Sequence, residues 1–280
     1  MPKHIFHINH SDDSFIDGYI LYKNNSNLKP LVIILHGFMA SKDWGFFPHI
    51  AKSIAKNLGV SLIFDFSHNG RPDNNQFFRE PHKFSQNTIT KQLNDLKIII
   101  EKLKSNELTP KLKLNEIWDG RIFLLGHSLG SAIGLIYSNQ YEGINRISAW
   151  APIAYFDRYS ERQKKIWKEK GYLEFQMNQT KQILRIDLDY LNDIENNIQK
   201  YSIINSVKNS KIPIQIIYGN EDLTISKNEV EQIISNINKS LTSIEFISNS
   251  GHTFGFTSVR DKPNKSLKEA IQKTINFFIK

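Results

Sequence analysis

Six short, nearly unbroken apolar runs punctuate this chain, and longer segments with apolar residues every three or four positions fill the gaps between them. The runs are Leu31–Leu35 (LVIIL), Val60–Phe66 (VSLIFDF), Ile122–Leu125 (IFLL), Ile147–Trp150 (ISAW), Ile212–Tyr218 (IPIQIIY) and Ile244–Ile247 (IEFI). A strand buried on both faces has no polar side to show, so such runs predict a mostly parallel sheet under helices on both faces, an α/β architecture. Asp17–Tyr22 alternates instead and predicts an antiparallel edge strand. Helical spacing predicts helices over about 46–57, 88–103, 129–139, 226–238 and 266–279.

One stretch interrupts the rhythm. From Ile153 to Ser210 no run reads as a strand; amphipathic helical patterns carry the aromatics Tyr155, Phe156, Tyr159, Trp167, Tyr172 and Phe175. The expected organisation is therefore a core in two parts, 1–152 and 211–280, with a helical cap inserted over 153–210. At 280 residues, 40% of them apolar, such a core can be filled without covalent staples. The chain has no cysteine, which removes disulfides, thiolate nucleophiles and cysteine-held metals together. No metal or cofactor is expected.

The net charge is +8 at pH 7, and pI is about 9.4. Its lysines are spread along the chain, and the densest basic run, Arg158–Lys170, also holds Glu161 and Glu169, as a solvated helix face does. Nucleic acid is not an expected partner. Neither a signal-peptide apolar run nor a stretch of roughly 20 apolar residues is present, so the expectation is a cytoplasmic protein that does not engage membranes. His4, His7 and His10 lack a matching carboxylate set and are read as surface residues.

The chemistry concentrates at Gly126-His127-Ser128-Leu129-Gly130, between the run IFLL and a helix that begins with small residues. This is G-x-S-x-G in a strand–turn–helix setting, where a sharp turn exposes the serine and its flanking glycines let helix and strand approach. A serine hydroxyl needs a base, and the base needs an orienting acid. Asp222 ends the strand-terminal turn Gly219-Asn220-Glu221-Asp222, with Glu221 as a competing carboxylate, and His252 follows the next strand in Ser248-Asn249-Ser250-Gly251-His252. The order Ser, Asp, His is the one the elbow requires. His36-Gly37-Phe38 turns back after LVIIL, so the N–H groups of Phe38 and Leu129 are expected to form an oxyanion hole. His36 is assigned to holding that loop. His127, Trp44, Tyr155 and Trp167 are the candidate substrate-pocket residues.

Taken together, HGF at 36–38, GHSLG at 126–130, GNED at 219–222 and GH at 251–252 resemble the α/β-hydrolase superfamily. The resemblance is to its serine esterases and to its dienelactone-hydrolase-like and serine-aminopeptidase-like branches. It implies an eight-stranded, mostly parallel sheet flanked by helices, a Ser128–His252–Asp222 triad, and a cap after the sixth strand. The loop Phe64–Gly70 resembles the family's pocket wall after the fourth strand. Because the elbow carries serine and not aspartate or cysteine, the chain looks like neither a haloalkane dehalogenase nor a dienelactone hydrolase proper, and its resemblance is to the wider branch. The expected activity is hydrolysis of a small-molecule carboxylic ester with a small to medium acyl group, by a monomer or homodimer. Thioesterase or aminopeptidase-like chemistry on the same triad is the alternative, as is a ligand-binding member without catalysis; Asp187, Asp189, Asp193 and Glu195 keep the aminopeptidase reading open.

Overall fold

A computed structural model describes residues 1–24, 27–73, 76–109, 111–177, 180–256 and 262–280. Eight strands form one sheet: β1 (Lys3–Asn9), β2 (Phe15–Leu21), β3 (Lys29–Leu35), β4 (Val60–Asp65), β5 (Trp118–His127), β6 (Arg146–Trp150), β9 (Ile214–Gly219) and β10 (Thr242–Ile247). Their spatial order is β1-β2-β4-β3-β5-β6-β9-β10. Every pairing from β4 to β10 is parallel, while β1–β2 and β2–β4 are antiparallel.

The two-residue period of a strand divides the core. Leu31, Ile33 and Leu35 of β3 join the cluster under α3 (Ile89–Lys104), α4 (Leu129–Gln140) and α8 (Lys227–Asn236). Val32 and Ile34 point to the opposite cluster, under α1 (Phe47–Asn57) and α9 (Lys265–Ile279). With both faces covered, β3 and β4 have no polar side, which is why they read as continuous apolar runs.

Two strand features differ from the sequence expectation. The Asp17–Tyr22 segment is antiparallel as expected, but it is not the edge: β1 pairs beyond it, Lys3 with Leu21 through Asn9 with Phe15. β1 was missed because only Phe6 of its seven residues is buried. In the inserted stretch, β7 (Tyr172–Gln176) and β8 (Ile183–Asp187) form an antiparallel ribbon between α5 (Glu161–Lys170) and α6 (Leu188–Asn196), with α7 (Ile203–Lys208) beyond. β7 has no buried residue and β8 buries only Leu184 and Ile186, too short an alternation to stand out from the helical patterns around it; Glu174 and Arg185 face each other across the ribbon in a 2.9 Å ion pair.

A short α2 (Pro81–Ser85) precedes α3. Within the described residues no helix is long and apolar enough to cross a membrane.

One carboxyl of the core carries a consequence for stability. Asp95, on α3, is 1% exposed and accepts the Ser67 N–H at 2.8 Å, with His10 Nε2 at 3.5 Å. Burial pushes its pKa up to about 7, against the Ser67 hydrogen bonds that favour the charged form. The folded state therefore holds a proton that the unfolded chain releases near its ordinary value of 3.8. That contribution is complete below about pH 4 and lost as pH rises through about 7, a difference on the order of a few kcal/mol. Asp95→Asn keeps an acceptor for Ser67 but cannot titrate. Urea unfolding at several pH values between about 5 and 8 is expected to show stability falling with pH in the wild type and a flatter profile in Asp95→Asn; parallel profiles would contradict it.

Candidate active site

Strand register brings the expected residues to one edge. Leu35 pairs with Gly126, Gly126 with Ala149, Trp150 with Ile217 and Gly219 with Ile247, so the loops after β3, β5, β6, β9 and β10 leave the sheet side by side. Parallel strands all present their C-terminal ends there, which is where α/β sheets bind ligands.

Ser128 caps α4 with φ 54° and ψ −117°, a left-handed backbone for a non-glycine residue, and its N–H donates to Trp150 O at 2.8 Å. The turn is possible only because its neighbours lack side chains. A Cβ at Gly126 would lie 2.5 Å from Ser131 N, and one at Gly130 would lie 2.4 Å from Leu35 O.

Asp222 and His252 meet as the sequence order predicts. His252 Nδ1 donates to Asp222 Oδ2 at 2.8 Å, while Asp222 Oδ1 accepts the N–H groups of Thr224 (2.8 Å) and Ile225 (3.0 Å). The Asp222 side chain is only 3% exposed. Burial alone would raise its pKa, but the His252 hydrogen bond and charge, with the two N–H groups, outweigh burial and hold it below the usual carboxylate value. Glu221 is solvent-exposed and contributes its backbone, Glu221 N to Ser250 O at 2.9 Å. The acid and histidine loops also touch at Gly219, where a Cβ would lie 2.2 Å from Ser250 O.

Ser128 and His252 line one cavity of about 150 Å³ together with Gly37, Phe38, Trp44 and His127. The Ser128 hydroxyl makes no hydrogen bond to His252 in this conformation; such bonds commonly tighten only when substrate is bound. Gly37 fits against the elbow, its Cβ position 3.2 Å from His127 O and 3.4 Å from Ser128 Cβ, and the following Phe38 lines the cavity with Ser128. Among the described residues, no backbone carbonyl takes up the N–H of Phe38 or Leu129. The His36 ring holds this loop: Nδ1 donates to Gly37 O at 2.9 Å and Nε2 accepts the Phe66 N–H at 3.3 Å. The Phe38 ring packs toward Phe84 and Phe175, of α2 and β7.

Four residues were expected in the pocket, and two line it. Trp44 does, and so does His127, whose Nε2 donates to His252 O at 2.9 Å. Burial, then the nearby His252, pushes the His127 pKa down to about 3, so the ring stays neutral and keeps one N–H for that carbonyl. Tyr155 is exposed and outside the cavity. Trp167 is corrected as well: it is fully buried inside the insertion, edge-on to Tyr159 at 5.0 Å and stacked on Tyr190 at 6.1 Å. Sequence reasoning missed Met39, Gln76 and Thr253, which also line the cavity. Met39 and Gln76 have φ of 57° and 64°, conformations with no marker in their residue types. Among the described residues, no group of three or more His, Asp or Glu is arranged to hold a metal ion.

Comparison with known proteins agrees with this architecture. The model of the dienelactone hydrolase family matches residues 16–280. Monoacylglycerol lipase ABHD6 of Mus musculus is 22% identical over 285 residues, covering 88% of this chain and 76% of that protein. Among solved structures, the α/β hydrolase GrgF from Penicillium sp. sh18 superposes with a TM-score of 0.73 at 14% identity, over 99% of this chain and 98% of that one. Est1E from Butyrivibrio proteoclasticus, solved with ferulic acid, gives 0.68 at 16% identity, over 98% and 97%. At these identities the structural likeness shows the fold.

The His127 contact yields a stability prediction. His127→Phe keeps a ring against Phe46 and Phe47 but deletes the donor to His252 O. We expect a loss of about 1 kcal/mol, the value of one net hydrogen bond, in chemical denaturation. An equally stable variant would show that the bond contributes nothing.

Proposed function

Because the chain belongs to the dienelactone hydrolase family and carries this site, we propose that it is a serine hydrolase cleaving small carboxylic esters through an acyl-enzyme. The observation that carries the reading is the partly buried Asp222–His252 hydrogen bond of 2.8 Å, with His252 lining the same cavity as a serine held on a strained turn. In this reading Ser128 Oγ attacks the ester carbonyl while His252 Nε2 takes its proton. Asp222 holds the imidazole by Nδ1 and stabilises the imidazolium. The N–H groups of Phe38 and Leu129 receive the oxyanion of the tetrahedral intermediate. On collapse, His252 gives the proton to the leaving alcohol. Water, deprotonated by His252, then attacks the acyl-enzyme, and the acid leaves as Ser128 regains its proton.

Cavity size favours a compact acyl group. The cavity is about 150 Å³, opens to solvent, and is walled beside Ser128 by Met39, Ala40 and Trp44. An aminopeptidase-like reading needs carboxylates to receive a substrate amine, and the four acids of the insertion do not line the cavity. Asp193 accepts Thr90 N, Asp187 accepts Ser85 Oγ, and Glu195 pairs with Lys168, each at 2.9 Å. These occupations favour esters over aminoacyl amides.

Labelling with a fluorophosphonate probe tests the nucleophile without knowledge of the substrate. Wild type is expected to label and Ser128→Ala not to label. On 4-nitrophenyl esters, Asp222→Asn is expected to lower kcat by as much as about 10⁴-fold, the effect of losing the orienting acid in a serine triad. A folded wild type that neither labels nor turns over esters would favour a ligand-binding role, and faster turnover of aminoacyl amides than of esters would replace the esterase reading.

A further inference from the structure

Three polar side chains line the Ser128 cavity without a part in the chemistry proposed above: His127, Thr253 and Gln76. His127 donates to His252 O and Thr253 Oγ1 to Phe256 O, so both are engaged; the exception is Gln76. Its Nε2 is buried and has no hydrogen-bond partner. A buried amide nitrogen left without an acceptor is uncommon in folded proteins and calls for a reason. The backbone at Gln76 is left-handed, with φ 64°. Residues held in that region against their own preference concentrate where a ligand is gripped.

The surrounding contacts hold Gln76 in place. Its N–H donates to Asp73 O at 2.9 Å, and Asp73 N returns to Phe77 O at 2.9 Å. Pro72 and Phe78 form a bridge across the base of this loop. The insertion grips the same base: Phe78 N donates to Gln182 Oε1 at 2.8 Å, and Gln182 Nε2 donates to Phe78 O at 2.9 Å. With the backbone at Gln76, Phe77 and Phe78 anchored in this way, the unsatisfied donor is left for an acceptor that arrives with the substrate.

We propose that Gln76 is a specificity-determining residue whose side-chain amide donates a hydrogen bond to an oxygen of the substrate other than those of the scissile ester. The inference rests on the esterase reading and narrows it. The substrate class is compact esters bearing an ether, hydroxyl or carbonyl oxygen in the acyl or alcohol part, rather than plain alkyl esters. A site that offers a buried donor discriminates against a ligand with no acceptor, because the donor is then desolvated without compensation.

The test uses ester pairs that differ by one oxygen for one methylene: 4-nitrophenyl methoxyacetate against butyrate, 4-nitrophenyl 3-methoxypropionate against pentanoate, and 2-methoxyethyl acetate against butyl acetate. For each pair the ratio of kcat/KM values is measured in wild type, Gln76→Met and Gln76→Glu, with thermal denaturation confirming that the variants are folded. Dividing the wild-type ratio by the variant ratio cancels the different intrinsic reactivity of the two esters. A merely structural role for Gln76 changes both members of a pair alike and leaves that quotient at one. We expect a quotient of roughly tenfold in favour of the oxygen-bearing ester for at least one pair. Quotients of one for all three pairs, with turnover that Ser128→Ala abolishes, would overturn the Gln76 assignment and leave the esterase reading standing. No Ser128-dependent turnover of any ester would overturn both.

Discussion

The close approach of α4 to the strands beneath it is the constraint on which the rest of the site depends. The N-terminal turn of α4 sits so near β3 and β5 that Gly126 and Gly130 have backbone atoms where a Cβ would be. Only across that gap can Ser128 adopt its left-handed backbone, with its N–H taken by Trp150 O. Because the serine is fixed by backbone packing, its position is insensitive to side-chain rotamers. The turn also leaves the Leu129 N–H at the head of a buried helix, where the amide ends favour negative charge. Gly37 completes the arrangement from the neighbouring strand by resting on the same turn.

The remaining groups reach the serine through loops that brace one another. Gly219 lies against Ser250, so the loops bearing Asp222 and His252 are packed backbone to backbone before their side chains meet. His127 adds a donor from the elbow to the His252 carbonyl. The root of the insertion is tied to the acid loop: Arg158 donates to Thr224 O and pairs with Glu229, each at 2.7 Å, and Glu229 also accepts the Ala154 N–H. The ribbon β7–β8 reaches the opposite wall through Phe175 on Phe38 and Gln182 on Phe78. The inserted segment thus shapes the cavity indirectly, by holding core loops, rather than by lining the serine's surroundings with its own aromatics.

That arrangement explains which expectations were legible. Strands buried on both faces announced themselves, because a continuous apolar run has few other stable solutions at that length. The glycine-flanked serine turn and the meeting of Asp222 with His252 were legible because steric demand and chain order leave a pattern of glycines and polar residues at strand ends. β1 and the β7–β8 ribbon left no comparable trace, since each buries too few residues for its alternation to stand out. Trp167 shows the limit for single residues. An aromatic on an amphipathic helix can face a pocket or the helix's own support, and here Tyr159 and Tyr190 enclose it.

By itself, the sequence determined the α/β architecture, the strained serine turn and the residues delivered to the ends of β5, β9 and β10. Those follow from local rules, since burial patterns have a period and a tight turn demands glycine at fixed positions. Tertiary structure decided which carboxylate meets His252, that His127 is a buried neutral support, that Trp167 is core, and that Gln76 enters the cavity. Each of these depends on which surfaces come together after the chain has closed. Gln76 lies 52 positions before the serine, and no periodicity or motif connects them until the loops after β4 and β5 share one edge of the sheet.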